Sequence, residues 1–436
     1  MNRRWLRIVS LLALTTGLVW LARPLARGAM LRLDLHRARD ALAEKRLDQA
    51  ITWLEAAEGR RPDEVEAQYL LGVANRRLGR YYIAKEKFAI AERLGWPKKD
   101  LERQRNLMLF QMGYLREAEL YLIGLLETDV ADDDAAEIYD ALAAGYLAEF
   151  RIFEAMACLD HWLAWQPRSI PAHQSRAEVM LSLNRNGDYQ AELREILKID
   201  PSRIAERLAL AQWLSDETQV DEALAECELC RRQAPDDARV HLIMGLVIHR
   251  KGLMAEAKRE LETAISKPLD PRNRTQALIT LGQIAAEARD YESAALRYRE
   301  AARLTPETPT APYALGTVLE TLGRHEEAER EIDRSRVLQE QFEEMQDIRR
   351  DLLQDTSNAA LRVKAAKILL DQGDKTGAAN WMLSALHSDP DLREAHEMLA
   401  DYFEEKERSD LAQHHRDAAR RVAASEDSGD TSRGRQ

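Results

Sequence analysis

Apolar and polar side chains follow one another along this chain in amphipathic stretches, a pattern typical of helices that pack on one face. Several of these stretches end at a proline, and Pro167, Pro201 and Pro235 lie 34 residues apart. A constant interval of this length indicates an internal repeat in which each unit is a helix–turn–helix. The pattern therefore predicts a chain of consecutive helix pairs.

Positions that were not used to set the phase of the repeat provide a test of it. With the terminal prolines at position 32 of a 34-residue unit, eleven units start at residues 31, 65, 99, 136, 170, 204, 238, 275, 309, 359 and 393. Ten of the eleven units carry a small residue at position 8, and ten carry one at position 20. The exceptions are Asn106 and Tyr189. Two independent columns of small residues indicate a true repeat.

These small residues have a physical role. Two antiparallel helices pack tightly only where small side chains lie at the crossing and larger apolar side chains fill the space around it. Position 24 supplies that bulk in most units, as in Phe88, Leu261 and Tyr298. Glycine at position 15, such as Gly79, suits the left-handed end of a first helix. The proline at position 32 then ends the second helix.

The unit at 136–169 resembles the tetratricopeptide repeat most clearly. It carries Tyr139, Leu142, Ala143, Tyr146, Ala155, Leu159 and Pro167, which are close to the family pattern. The resemblance covers residues 31–424 and implies an all-α fold, a right-handed superhelical solenoid of about eleven helix–turn–helix units. It also implies a concave groove lined by the first helices, in a protein that binds other proteins or peptides.

Composition agrees with a helical binding protein. The chain has only 19 glycines, 13 prolines and 6% aromatic residues, which favours helices over sheets. A net charge of −12 repels phosphate backbones, so we expect no nucleic-acid partner. The sequence contains no phosphate-binding loop, zinc-protease motif or nucleophile elbow. We therefore expect no enzyme activity, no cofactor, no metal and no small-molecule substrate.

The repeat boundaries divide the chain into five segments. Residues 1–30 form an N-terminal membrane anchor or signal region, and 31–340 form the main array of about nine units. Residues 341–358 are charged; they either extend the second helix of unit nine or form a helical spacer. A C-terminal pair of units with its cap follows at 359–424, and the tail at 425–436 is expected to be disordered.

The N-terminus predicts a membrane contact. Arg3, Arg4 and Arg7 precede an uncharged run that Trp5 and Trp20 flank. Such a segment, over residues 5–22, favours an uncleaved single-pass anchor. The alternatives are a cleaved signal sequence and a helix outside the membrane. The leading arginines slightly favour an extracytoplasmic (periplasmic) repeat body over a cytoplasmic one, although further arginines after the run oppose translocation.

Three groups of residues suggest chemistry and have simpler explanations. Cys227-x-x-Cys230 could be a redox pair or half a metal site, but both residues fall on the packed side of a second helix. His414-His415 is interpreted as solvated surface, because neighbouring side chains on a helix point in different directions. The aspartates at 132–134 are interpreted as a loop whose carboxylates cap the next helix.

In this family, positions 2, 5, 9, 12 and 13 usually face the concave side. The lysine and asparagine of the family's carboxylate clamp are absent at the corresponding positions. The residues present suggest an apolar groove with amides, which suits an extended or helical peptide. The alternative is that its leucine and isoleucine side chains only pack against neighbouring helices. The candidate groove residues are Tyr69, Val73, Leu208, Gln212, Leu242, Leu246, His249, Ile279, Gln283, Tyr313 and Thr317.

The leading functional hypothesis is a membrane-tethered scaffold or adaptor that binds a protein or peptide partner in this groove, within a bacterial envelope assembly, secretion or quality-control complex. The layout is similar to that of the lipopolysaccharide assembly proteins of Gram-negative bacteria, whose C-terminal domain with two Cys-x-x-Cys pairs has no counterpart here. One alternative is a non-catalytic regulatory subunit of a membrane-associated enzyme. Another is a periplasmic repeat protein with a cleaved signal.

Overall fold

The computed structural model describes residues 27–43, 46–111, 115–128, 131–406 and 408–433. In these ranges the regular structure is entirely helical. In chain order the helices are α1 27–43, α2 Leu47–Arg60, α3 Val65–Arg77, α4 Tyr81–Arg93, α5 Lys98–Gln111, α6 Leu115–Leu126, α7 Asp132–Ala148, α8 Ile152–Trp165, α9 Ile170–Ser182, α10 Asn186–Ile199, α11 Ile204–Asp216, α12 Val220–Gln233, α13 Ala238–Arg250, α14 Met254–Ile265, α15 Pro271–Glu287, α16 Tyr291–Leu304, α17 Thr310–Thr321, α18 His325–Gln354, α19 Ala359–Asp371, α20 Lys375–Ser388, α21 Arg393–Glu405 and α22 Ser409–Arg433.

The helix ends follow the repeat register. Every first helix whose C-terminal turn is described ends at position 13 of its unit. Every second helix whose preceding residue is described begins at position 17. The all-α fold of consecutive helix pairs, stacked as in a tetratricopeptide solenoid, is therefore confirmed.

The turn inside each pair depends on one backbone conformation at position 15. Left-handed φ values occur there at Gly79 (71°) and Gly252 (82°), as expected for a glycine that ends a helix. Several repeats adopt the same conformation without glycine, at Phe150, Asn184, Thr218 and Arg289. The tertiary structure therefore imposes this turn even where the residue resists it.

The predicted close contact between positions 8 and 24 is present. A Cβ atom placed on Gly282 would lie 2.5 Å from Cε1 of Tyr298, and one on Gly245 would lie 2.7 Å from Cγ of Leu261. Both distances are far below van der Waals contact. In these repeats the two helices approach this closely because the glycine at position 8 has no side chain.

A second recurring contact joins five of the first helices to the repeat before them. The side chain at position 4 forms a hydrogen bond with the carbonyl oxygen of the proline six residues earlier, at 2.8–3.1 Å. This bond is present at Gln68, His173, Arg207, His241 and His396. Three of these side chains also reach a glutamate at position 23, in the pairs His173–Glu192, Arg207–Glu226 and His241–Glu260. Carbonyls at helix ends have no intrahelical partner, so position 4 supplies one.

The inserted stretch after repeat nine continues a helix. Helix α18 runs without a break for 30 residues, so the charged residues at 341–354 extend the second helix of that repeat. Its buried side chains, among them Met345, Ile348 and Leu352, follow three- and four-residue spacing and share a core cluster with Ala365 and Ile368 of α19. The extension therefore has an apolar face that packs on the next helix.

The chain forms two compact units, residues 1–141 and 142–436. In the first unit a buried polar cluster connects successive repeats. Arg76 is 1% exposed and donates to Gln104 at 2.8 Å and to Glu137 at 2.6 Å. Burial alone would raise the pKa of Glu137, but the charges of Arg76 and Arg77 and two hydrogen bonds lower it to about 2.

In the described part of the chain, no helix is both long enough and apolar enough to cross a bilayer. Even α18, the longest, carries charged side chains over its whole length. The predicted single-pass membrane localisation, with an extracytoplasmic repeat body, is wrong on this finding. Residues 5–22, the segment that motivated the prediction, lie outside the described residues.

Helix α22 runs from Ser409 to Arg433. It therefore covers residues 425–433, for which the sequence predicts a disordered tail. The hydroxyl of Ser425 donates to the carbonyl of Val422 at 2.7 Å, a bond within one helical turn. The tail residues 434–436 lie outside the described range.

Candidate functional site

Four of the eleven predicted groove residues are buried. Tyr69, Val73 and Leu208 are 5–8% exposed, and Leu242 is 0% exposed. Tyr69 stacks on Trp96 with ring centroids 4.3 Å apart, and burial raises the pKa of its hydroxyl to about 12. These side chains pack inside the helix array, as the alternative interpretation of the groove expects. They present no surface to a partner.

The other seven form an accessible set, which we call the first-helix face. Tyr313 is 61% exposed, Gln283 and Thr317 are exposed, and the remaining members are half-buried. The hydroxyl of Thr317 donates to the carbonyl of Tyr313 at 3.0 Å, which leaves the phenol ring free to face solvent. The first-helix face consists of Gln212 in α11, Leu246 and His249 in α13, Ile279 and Gln283 in α15, and Tyr313 and Thr317 in α17.

The arginine beside this face is paired. Arg250 donates to the carbonyl of Ser215 at 3.2 Å and forms an ion pair with Asp216 at 2.5 Å. The Nε2 atom of His249 is buried and has no hydrogen-bond partner among the described residues. An unpaired buried nitrogen costs free energy. The face combines apolar contact with neutral hydrogen-bonding groups.

A cavity of about 590 Å³ lies between the last four helices of the second unit. Side chains from α19, α20, α21 and α22 form its wall. The groove residues predicted from the sequence end in repeat nine and do not include this cavity. The signal was present, because groove positions 9, 12 and 13 of repeat eleven are the acidic residues Asp401, Glu404 and Glu405. Its lining residues are Leu370, Lys375, Ala378, Ala379, Met382, Met398, Leu399, Asp401, Tyr402, Glu404, Glu405 and Arg416.

The rim of this cavity is acidic. Lys375 pairs with Glu405 at 2.5 Å, and Arg416 pairs with Glu404 at 3.2 Å. The hydrogen bond from Lys375 lowers the pKa of Glu405. Asp401 adds a third carboxylate, so three acids face two cations. A floor that contains methionine and leucine under such a rim can accept an apolar side chain that carries a neighbouring positive charge.

Cys227 and Cys230 pack in the core of the second unit. Both are 0% exposed. Burial raises the pKa of Cys227 to about 12 and that of Cys230 to about 11. Only the thiolate is a good nucleophile or metal ligand, and these thiols stay protonated at neutral pH. Their environment therefore agrees with a packing role.

The prediction that both His414 and His415 are solvated is wrong for one of them. His414 is exposed, but His415 is only 7% exposed and its Nδ1 lies 2.9 Å from Nδ1 of His396. His415 stands at position 23, which faces position 4 of the first helix in other repeats too. Two neighbours on a helix differ by about 100° in direction, so one points inward.

The aspartates at 132–134 also lie differently from the prediction. Helix α7 begins at Asp132, so they form its first turn rather than a loop before it. The Oδ2 atom of Asp134 accepts a hydrogen bond from Arg103 at 2.5 Å. Carboxylates at the start of a helix are favoured by its dipole.

A family comparison agrees with this register. The tetratricopeptide repeat family matches residues 35–93 and 279–338. These two segments are tetratricopeptide repeats. Both matches begin at position 5 of a counted unit, units one and eight. The two family matches therefore begin at the same phase of the counted register.

No curated protein matches the chain. Among solved structures, the human IFIT1 dimer with PPP-AAAA is 19% identical, over 83% of this chain and 91% of that one, with a TM-score of 0.41. MamA from Desulfovibrio magneticus is 20% identical over 39% and 94% of the two chains, with a TM-score of 0.34. YrrB, a TPR protein with an unusual peptide-binding site, is 17% identical over 47% and 95%, with a TM-score of 0.29.

Proposed function

We propose that this chain is a non-catalytic scaffold that holds a protein or peptide segment against the first-helix face of repeats six to nine. Tyr313 carries the proposal, because it is a large aromatic side chain that stands 61% exposed on a first helix. Leu246 and Ile279 occupy groove positions of the two preceding repeats. Since consecutive helix pairs are stacked, these positions succeed one another along one surface.

The chemistry of the face suits a peptide backbone. Gln212, Gln283 and Thr317 offer amide and hydroxyl groups that can both donate and accept hydrogen bonds. Tyrosine is also among the residues that most often dominate binding energy at protein interfaces. The chain's net charge of −12 favours such a partner over a nucleic acid. The acidic cavity at repeats ten and eleven supports the same function, as a second contact for an apolar and basic part of the partner.

A photo-reactive amino acid at position 313 tests the proposal. We expect it to form covalent adducts with a defined partner in extracts of the source cells. The matched control is the same amino acid at Leu296, which is 62% exposed but lies on the second helix α16. We expect no such adduct from position 296.

A charge substitution gives the second measurement. Tyr313→Asp should weaken capture of the partner by about tenfold or more, because the partner would bury a carboxylate in an apolar interface when it binds. Leu296→Asp should leave capture unchanged, and circular dichroism should show both variants folded. Equal capture by the two variants would show that the partner does not bind this face.

A further inference from the structure

The turn between α7 and α8 contacts helices that follow it by more than 200 residues. The carboxylate of Glu149 accepts hydrogen bonds from Arg362 at 3.1 Å and from Ser384 at 3.1 Å, and His387 Nδ1 lies 3.2 Å from it. Arg362 is 0% exposed and also donates to Ser384 at 2.8 Å. The contact lies within the second unit and joins repeat four to repeat ten.

The next residue in the turn makes an apolar contact with the same block. Phe150 packs against the cluster of α18 and α19 side chains, and its ring centroid lies 5.7 Å from that of Trp381. Phe150 occupies position 15 with a φ of 61°. A bulky residue is strained in this left-handed conformation, and five of the other ten repeats place glycine there. The strained Phe150 thus packs against Trp381 in repeat ten.

Three costs oppose the contact of Glu149 and Phe150 with repeat ten. The Nη1 atom of Arg362 is buried and has no hydrogen-bond partner in the described part of the chain. Burial of an ion pair also loses hydration that offsets most of the attraction between the charges. Strain at Phe150, one unsatisfied donor and lost hydration therefore all oppose docking. These three costs reduce the net stability that docking contributes.

We propose that Glu149 and Phe150 form a reversible clasp that closes the second unit on itself between repeats four and ten. In the closed state Glu149 is bound to Arg362 and Phe150 is packed beside Trp381. In the open state both turn residues are released and the docking surface on α18, α19 and α20 is exposed. The clasp is a two-state element whose populations shift when either contact is changed.

Distance measurements between two spin labels test the clasp in the full-length chain. The labels are attached at Ala157 and Asp389, both exposed, after the buried cysteines at 158, 227 and 230 are replaced by alanine. The parent chain should give one dominant short distance. Glu149→Gln keeps the shape of the side chain but removes its charge, and it should raise the longer-distance population at least fivefold. Phe150→Ala should have the same effect.

Phe153→Ala is the matched control. Phe153 lies on α8, three residues after the clasp, and is 89% exposed. This variant should leave the distance distribution of the parent unchanged. A second pair of labels at Asp236 and Lys258, on neighbouring elements far from the clasp in sequence, reports whether repeats six and seven stay folded.

Two outcomes would overturn the proposal. If neither Glu149→Gln nor Phe150→Ala changes the distance between 157 and 389, the contact does not hold the unit closed. If both label pairs broaden together, the contact is a permanent part of the fold rather than a clasp. A longer distance between 157 and 389 with an unchanged distance between 236 and 258 supports the clasp.

Discussion

The imidazole rings of His396 and His415 meet with their Nδ1 atoms 2.9 Å apart. The Nε2 atom of His396 lies 3.0 Å from the carbonyl oxygen of Pro390, which can only accept. His396 therefore carries its proton on Nε2, and its Nδ1 accepts from His415. Four other repeats place a glutamate at the position of His415, which is position 23. Repeat eleven has instead a pair of histidines that is stable when neutral.

The first prediction concerns acid stability of this pair. Burial, with the neighbouring His396 and His414, lowers the pKa of His415 to about 4. In the unfolded chain it titrates near 6.5, so the unfolded state binds more protons between these values. Stability should therefore fall as pH decreases from about 6.5 to 4, by on the order of 2 kcal/mol from this group. Urea unfolding at several pH values measures the change.

The His415→Glu variant is the comparison for that profile. It restores the acid found at position 23 in other repeats and pairs it with His396. The loss of stability between pH 6.5 and about 4 should then become smaller than in the parent chain. Identical pH profiles for the parent and the variant would show that the histidine pair does not control this part of the acid response.

The second prediction concerns a histidine pair whose stabilisation is lost as pH rises rather than as pH falls. The hydrogen bond that His173 donates to Glu192 raises the pKa of His173, and burial only partly opposes this rise. The stabilisation from this pair is present below the unfolded pKa of about 6.5 and is lost as pH rises through the raised value. Glu192→Gln should reduce the free energy of unfolding at pH 5.5 by about 0.5 kcal/mol, because the pair is partly solvated. At pH 8.5 the two chains should differ less.

Asp188→Asn is the control for Glu192→Gln. Asp188 lies on the same helix and pairs with Arg185 at the surface. We expect its substitution to leave the difference in unfolding free energy between the two pH values unchanged. An equal effect of both substitutions would indicate a general charge effect rather than the bond to His173.

A third prediction tests the close helix contact. Gly282→Val places side-chain atoms against the ring of Tyr298, whose Cε1 is 2.5 Å from an ideal Cβ position. We expect a loss of about 2 kcal/mol in the free energy of unfolding, because the crossing must open. The control is Gly59→Val in α2, where nothing lies within 4 Å of an added Cβ. That variant should be neutral or slightly more stable.

A fourth prediction concerns the buried pair in the first unit. Glu137→Gln leaves Arg76 buried without its counter-charge, so we expect a loss of about 3 kcal/mol. The pKa of Glu137 is lowered to about 2 in the folded chain. Its contribution to the free energy of unfolding is therefore complete above the pKa of the unfolded chain and is lost as pH falls through about 2. The control is Glu66→Gln, because its partner Arg39 is half exposed. Chemical unfolding should show a change below about 0.5 kcal/mol for that variant.

The repeat register was readable from the chain because its contacts are local. Gly245 meets Leu261, sixteen positions later, in the same pair of helices. Gly72, Gly282 and Gly316 come equally close to the residue sixteen positions later, so the same residue types recur and can be counted. The groove was predicted less well. Leu242 and Leu246 both occupy groove positions, but whether such a side chain is buried or accessible depends on how the next repeat packs.

Helix order, helix ends and the small-to-large contact inside each pair thus followed from periodicity in the sequence. Three features required the tertiary structure: the burial of Leu242, the inward direction of His415 and the contact of Glu149 with Arg362. Burial depends on the packing of adjacent repeats, and a contact across 213 residues occurs once and leaves no periodic signal. Local spacing specifies a helix pair, but the accumulated geometry of several pairs decides which distant residues meet.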